Sequence, residues 1–320
     1  MSFGIVLKEL DERASERGGV YVATMTLVVF VEDAAIGDLA RDRIHTLAAK
    51  HPSRVILFDA TQSEGTHHVE GDDWIELGAK GSNAELLRGA ANALRLPEAP
   101  VILLWIAPGI GDDERFCELS RDARTVVYNS SLVDAGNAAL RQLVEYVERH
   151  PELALADIAY LRLAPWQESV AILFDGEESQ ELLDVTRVEI GCGSDPEGLY
   201  LLGWLASRLN WKPGSAEMLT GPDGKAIAFA IRREGEPRRI ARVALSSTHS
   251  NFVAEADPHG ETINLSVTGG RAKPPRLRAI NNPGVAALVE RAILSSQNDR
   301  VFQASLAAAG AIAAFGAPSP

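Results

Sequence analysis

The sequence predicts an α/β protein: an N-terminal Rossmann-like parallel sheet with helices, then an α+β lobe with an antiparallel meander. Three observations predict it. Up to about residue 150, apolar runs rich in β-branched residues alternate at least four times with stretches of helical periodicity, the pattern of a parallel sheet covered by helices. Beyond about residue 220 the apolar period falls to two between turn residues, the pattern of antiparallel strands. Between these regions lies Tyr160 to Asp175, whose Leu163, Trp166, Val170, Leu173 and Phe174 fall on one face of a helix, with Pro165 placed for a first helical turn. The expected domains are 1–151, Rossmann-like, and 152–320, α+β with the central helix, antiparallel strands and C-terminal helices.

The leading residues, with Ile5, Leu7 and Leu10, read as a short helical arm ending at Gly18-Gly19. Thr24 to Val31 is a strand covered on both faces, because it is almost continuously apolar. Asp33 caps a helix running to about Lys50, with one stripe through Ile36, Leu39, Ala40, Arg43, Ile44 and Leu47, and Pro52 stops it. Val55 to Phe58 is a second buried strand. The polar stretch Asp59 to Asp73 reads as a solvated loop or hairpin; its His67-His68 pair lacks the further ligands a metal site needs. Trp74 to Leu77, Val101 to Ala107 and Thr125 to Tyr128 are strands; Ala84 to Leu96 and Val133 to Arg149 are helices. After the central helix come a strand at Val185 to Ile190 and a helix at about Pro196 to Leu209, apolar nearly all round. Then follow the short runs Ala226 to Arg232, Arg239 to Leu245, Asn251 to Ala256 and Thr262 to Val267. Helices at Pro283 to Leu294 and Asp299 to about Ala314 close the chain.

Composition narrows the function. The net charge is −13, which disfavours general binding to nucleic acid or a membrane surface. Met1 to Gly19 has no apolar core of a secretory signal, and Leu306 to Phe315 is far short of the roughly 20 residues a membrane span needs. Two distant cysteines, Cys117 and Cys192, suit a reduced, cytoplasmic protein with no zinc site or disulfide framework.

The turns that could hold phosphate are ill suited to it. VEDAAIGD after the first strand lacks GxGxxG and carries acids, and Pro108-Gly109-Ile110-Gly111 runs into Asp112-Asp113-Glu114. Like charges about 4 Å apart repel by roughly 4 kcal/mol at an effective dielectric near 20. There is no Walker A motif and no GxSxG elbow. Glu189-Ile190-Gly191-Cys192-Gly193 resembles the adenosylmethionine-binding turn of class I methyltransferases, so an adenosylmethionine-dependent, methyltransferase-like enzyme is the alternative reading. Against it stand Asp195 where a third glycine would be welcome and the absence of a following strand with an acidic end. Pro222 to Arg278 is basic, with ten Lys plus Arg against six Asp plus Glu. Arg232, Arg233, Arg238, Arg239 and Arg242 fall on one expected hairpin, which is either a solvated surface or a docking face for an acidic partner or sugar-phosphate.

Four segments carry a family resemblance. Arg162-Leu163-Ala164-Pro165-Trp166-Gln167-Glu168, continuing to Phe174-Asp175, resembles the RLxPWRxxLAxxFD signature of the OpcA family of glucose-6-phosphate dehydrogenase assembly proteins, with Gln167 where the family has Arg. Thr26 to Val31, His51-Pro52-Ser53-Arg54 and Tyr200 to Trp211 resemble three further family segments in the same order. The resemblance implies a two-lobed, non-catalytic assembly factor and allosteric activator, without cofactor or metal. It would bind glucose-6-phosphate dehydrogenase and promote its active oligomer in the oxidative pentose phosphate pathway. The candidate partner-binding residues are Arg162, Trp166 and Gln167 together with Arg232, Arg233, Arg238, Arg239 and Arg242. The absence of a nearby cysteine pair argues against thiol control of the kind discussed for some relatives.

Overall fold

The computed structural model describes residues 3–17, 23–71, 73–110, 113–132, 136–215, 217–270, 272–294 and 299–315. Gly18-Gly19, Gly111-Asp112 and the start of the expected helix at Val133 lie outside them. The chain divides into two compact units. One is Met1–Leu132, Arg149–Asp157 and Val285–Gln297; the other is Val133–Glu148, Ile158–Gly284 and Asn298–Pro320. The single boundary expected after residue 151 is replaced by exchanges of segments. Residues Ala154–Asp157 form a strand that pairs into the first unit's sheet, and helix Val285–Leu294 also packs in that unit. Helix Gly136–Arg149 belongs largely to the second unit, where a β-carbon at Gly310 would lie 2.5 Å from Val144.

The first unit is built on strand β1 (Met25–Val31), all seven residues of which are buried. It pairs in parallel with β2 (Ser53–Ser63) on one side and β5 (Val101–Ile106) on the other. The full order is β3-β4-β2-β1-β5-β6-β7, with β3 (His67–Glu70), β4 (Trp74–Lys80), β6 (Thr125–Tyr128) and β7 (Ala154–Asp157). Every pair is parallel except β3 with β4, so the polar stretch holds an antiparallel edge strand carrying His67 and His68. Helix α1 (Phe3–Arg17) buries Val6 and Leu10, four apart; of the expected residues Leu10 faces the core, while Ile5 and Leu7 are exposed. Helix α2 (Ala34–Lys50) starts directly after Asp33, whose carbonyl accepts the Gly37 N–H, and buries Ala40, Ile44 and Leu47. Helix α3 (Ala84–Leu94) is capped by the Asn83 side chain, and α4 (Glu114–Ser120) by Asp113.

In the second unit, α5 (Gly136–Arg149) precedes a break in the expected central helix. A short α6 (Ile158–Leu161) ends, and α7 (Ala164–Leu173) begins with Pro165 in its first turn. Proline has no N–H to give the preceding turn, so one continuous helix would lose a hydrogen bond there. The five apolar residues of the stretch are nonetheless all buried: Leu163, Trp166, Val170, Leu173 and Phe174. Next come β8 (Val185–Cys192) and α8 (Asp195–Leu209), with α10 (Arg300–Phe315) against α8 and α9 (Val285–Leu294) in the first unit. Gly203 lets α8 and α10 meet, since a β-carbon there would stand 2.4 Å from the Ser305 carbonyl oxygen.

The second sheet runs β15-β14-β13-β12-β8-β11-β10-β9, with β9 (Lys212–Ser215), β10 (Met218–Thr220), β11 (Ala226–Arg233), β12 (Ile240–Ser247), β13 (Ser250–Ala256), β14 (Thr262–Gly269) and β15 (Lys273–Ala279). Strands β12 to β15 are an antiparallel meander. The expected pairing of β11 with β12 does not form. Strand β8 lies between them, parallel to β11 and antiparallel to β12, so the five arginines do not share a hairpin. The connection 234–239 instead crosses the end of β8. Gly193 N–H donates to the Arg239 carbonyl at 2.8 Å and Glu234 N–H to the Cys192 carbonyl at 2.9 Å. A β-carbon at Gly193 would stand 1.8 Å from the Glu236 carbonyl oxygen, and one at Gly191 1.5 Å from the Glu234 carboxylate. Strands β9 and β15 are not visible as apolar alternation because their residues are mostly exposed and include Pro213, Pro274 and Pro275, and β10 is only three residues long.

These contacts give a graded expectation. Gly193→Ala forces a β-carbon against backbone and lowers stability by about 1–3 kcal/mol, the range for overpacking. Gly191→Ala lowers it less, since the Glu234 side chain swings away. Urea unfolding of both variants checks the order; equal losses would mean the crossing does not confine Gly193.

Candidate functional site

The open face of the second sheet gathers the charged residues. Helices α7 and α8 pack on the other face, where Val188, Ile190, Val243, Leu245, Phe252 and Leu265 are buried. On the open face Glu189 of β8 is opposite Ala230 of β11 and Ala244 of β12. Arg187, two residues before it, donates Nη2–H to Glu189 Oε1 at 2.7 Å. Arg232 Nη2 and Arg242 Nη1 lie 3.9 Å from the same carboxylate. The hydrogen-bonded Arg187 guanidinium holds the Glu189 carboxyl below the usual carboxylate range, and the charges of Arg187, Arg232 and Arg242 add to the shift against a smaller effect of burial. Glu234 lies over Gly191 on this face, so three arginines share it with two central acids.

The structure therefore separates the arginines read together from the sequence. Arg232 and Arg242 flank Glu189. Arg233 pairs with Asp195 at the start of α8, at 2.8 Å. Arg239 pairs with Glu236 at 3.1 Å inside the crossing loop. Arg238 is exposed at the loop tip with φ 63°, and no ion pair to it forms among the described residues. Arg187 was missed and Glu189 was read only as part of an adenosylmethionine-like turn; the alternation in Thr186-Arg187-Val188-Glu189 puts both on one face, but only the strand order brings Arg232 and Arg242 beside them.

The three candidates from the central stretch sit on the covered side. Trp166 is 5% exposed. Arg162 Nη1–H donates to Glu197 Oε1 at 2.6 Å, and Glu197, in the first turn of α8, is fully buried and also accepts from Ser194 Oγ. Gln167 is half-buried beside them. Arg162 thus ties the junction of α6 and α7 to α8, Trp166 is buried in α7, and the two do not form an exposed surface. Trp166→Ala removes a buried aromatic, with an expected loss of about 3–5 kcal/mol in chemical unfolding; an unchanged midpoint would place Trp166 outside the core.

In the first unit, this fold class would put a ligand at the carboxyl ends of β1 and β5, where the strand order reverses. That place is filled by the chain itself. Arg115 of α4 donates Nη2–H to Glu32 Oε1 at 3.0 Å, from the loop after β1, and to Asp113 Oδ2 at 2.6 Å, from the loop after β5. Its guanidinium carbon lies 4.9 Å from the centre of the Phe30 ring, which stacks on Trp105 at 4.3 Å. Hydrogen bonding to Asp113 raises the Arg115 pKa further. Asp59, within β2 and level with Val31 at the end of β1, is buried and accepts from Arg41, from Thr61 N–H at 2.8 Å and Oγ–H at 2.6 Å, and from Gln62 at 3.0 Å. Burial alone would raise its pKa; the Thr61 and Arg41 bonds outweigh that and lower it. These residues do not fit a dinucleotide: acids stand where pyrophosphate would lie, and the carboxylate that could take a ribose is already occupied.

No group of three or more His, Cys, Asp or Glu among the described residues could hold a metal ion. Cys192 is buried and its thiol is pushed up to about 12, chiefly by burial, so it is not poised as a thiolate. Glu234 and the loop at Glu236 already take the space beside Gly191 and Gly193 that the methyltransferase-like reading required.

An α/β unit with a reversing parallel sheet and a second unit with an open-faced mixed sheet define a Rossmann-like, two-unit class. The solved structures agree in fold. A 3-ketoreductase from Actinomadura kijaniata, in complex with NADP and TDP-benzene, aligns with a TM-score of 0.55 at 12% identity over 91% of this chain and 96% of that one. An oxidoreductase from Sinorhizobium meliloti aligns with a TM-score of 0.55 at 11% identity over 92% and 98%. Residues 153–306 match the OpcA family model for the C-terminal domain of a glucose-6-phosphate dehydrogenase subunit. The "OxPP cycle protein OpcA" of Synechocystis sp. is 30% identical over 191 residues, 53% of this chain and 40% of that protein. The protein of that name from Nostoc punctiforme is 32% identical over 152 residues, 47% of this chain and 32% of its own length. The chain thus spans less than half the length of these relatives. The family resemblance read from the four sequence segments holds. No helix among the described residues is long and apolar enough to cross a membrane.

Proposed function

We propose that this chain is a non-catalytic, cytoplasmic protein that binds glucose-6-phosphate dehydrogenase and promotes its active oligomer in the oxidative pentose phosphate pathway. The observation that carries the reading is the match of residues 153–306 to a domain described as belonging to a subunit of that enzyme. The filled crevice of the first unit and the occupied glycine turn of the second support it, since neither offers room for a reacting cofactor.

In this reading the docking surface is the open face of the second sheet. Arg187, Arg232 and Arg242 share Glu189 there, and Arg238 and Arg239 stand at the crossing loop beside it. Guanidinium forks suit carboxylates, and small residues between them (Ala228, Ala230, Ala244 and Ser246) leave the face flat enough for a protein surface. A carboxylate of the partner replaces Glu189 as a ligand of Arg232 and Arg242, both of which are at long range from it. Arg162, Trp166 and Gln167 act from the covered side by holding α7 and α8 under the sheet.

The test is reconstitution with the dehydrogenase from the same cell. Adding this chain raises dehydrogenase activity and shifts the enzyme to a larger species in size-exclusion chromatography, while the chain alone reduces no NADP with glucose 6-phosphate. Absence of any complex, or turnover by the chain alone, overturns the reading. Charge reversal at Arg232 and Arg242 to Glu weakens binding by about 2 kcal/mol or more if both are centrally buried, and mainly slows association, with a flatter salt dependence, if they are at the rim. Biosensor traces at about 50 and 500 mM salt separate the two, because screening between charges differs strongly at those ionic strengths. Unchanged traces at low salt remove this face as the docking surface.

A further inference from the structure

The chain resembles in fold a ketoreductase solved in complex with NADP, yet the residues at the crevice where this fold class places a ligand are engaged with each other. Three features close it. Arg115 joins the loop after β1, through Glu32, to the loop after β5, through Asp113. Its Nε–H also reaches Asp113 Oδ1 at 3.0 Å, so the fork binds both oxygens of that carboxylate. Below it, Phe30, Trp105 and Phe116 form a stack, and the Trp105 indole N–H donates to the Gly109 carbonyl at 2.8 Å, fixing the second loop from beneath. At the neighbouring strand end, Arg41 ties Asp59 to Glu76, which also accepts from Trp74 Nε1–H at 2.8 Å.

We infer that this crevice is a locked joint and not a nucleotide site, with Arg115 as the lock between its two loops. Charge and spent valence both exclude a nucleotide. A pyrophosphate at the start of α2 would meet Glu32 and Asp33, and there is no glycine between β1 and Ile36 to let the backbone approach it. The cation that could offset those acids, Arg115, has its donors directed to Glu32 and Asp113. The ribose position is denied in the same way, because Asp59 accepts from three side chains and one backbone amide. A helix packed so that its first-turn arginine bridges two loops holds them at fixed separation, which suits a unit that presents a rigid surface better than one that opens for a ligand. Nucleotide refusal and loop rigidity belong to the chain alone and are independent of the proposed partner.

The experiment has two readouts on the full chain. In isothermal titration calorimetry, NADP and NAD show no saturable binding up to about 1 mM, a range that would register even weak affinity; saturable binding by either overturns the inference. In native-state hydrogen exchange, Arg115→Gln raises exchange at residues 32–37 and 107–110 by about tenfold or more, while amides of β8 and β12 keep their rates. Arg115→Lys, which keeps the charge and loses the fork, carries the same expectation if the glutamine variant does not fold. Unchanged exchange in both loops shows that Arg115 does not lock them, whatever the outcome of the reconstitution with the dehydrogenase.

Discussion

The passage of one loop over the end of β8 governs the second unit. Because residues 234–239 cross at Gly191 and Gly193, β11 and β12 lie on opposite sides of β8. That places β8 at the centre of an eight-stranded sheet and commits its alternate residues to opposite environments. Val188, Ile190 and Cys192 go to the helices, and Arg187 and Glu189 go to the open face. Gly193 is needed because a peptide backbone lies within contact of it, whereas the neighbour of Gly191 is the flexible Glu234 side chain. The same glycines that imitate a cofactor-binding turn in sequence are thus accounted for by a chain crossing.

Behind the sheet, the closest contacts are also made where side chains are absent or charges are paired. Gly198 lies where a β-carbon would stand 2.8 Å from both Cys192 Sγ and Ile231, which brings α8 down onto β8 and β11. Gly203 does the same between α8 and α10. At the start of α8 the buried Glu197 is offset by Arg162, and removing one partner of such a pair is more damaging than the pair is stabilising, often by about 3–5 kcal/mol. A residue of the family signature is therefore explained by a charge inside the domain, and its presence needs no contact with a partner.

The first unit shows how a fold is kept while its usual ligand chemistry is not. The seven-stranded sheet, its switch of direction at β1 and an acid of β2 level with the end of β1 are all present. What differs is the local charge balance: the acids of the two loops are neutralised by Arg115, and Asp59 of β2 by Arg41, all of the chain itself. Likeness of fold to NADP-bound reductases and unlikeness of chemistry are compatible because the sheet depends on buried apolar strands, whereas phosphate binding depends on a few backbone amides and the sign of nearby charge.

The sequence by itself determined the strands and helices whose burial is one-sided or complete. β1, β5, the helix stripe through Ala40, Ile44 and Leu47, and the buried face of Trp166 and Val170 are all legible, because apolar periodicity records which side faces the core. It also carried the resemblance to the matched family model, through residues near Trp166 and along Tyr200 to Trp211, and the poor fit of the phosphate turns, through their acids. Only the tertiary structure decided the order of strands in the second sheet, the exchange of segments between the units, and the grouping of Arg187, Arg232 and Arg242 around Glu189. Periodicity fixes the face of a residue within its own strand but carries no information on which strand lies beside it. That is set by where glycines let one segment cross another, and by which buried surfaces fit together once they do.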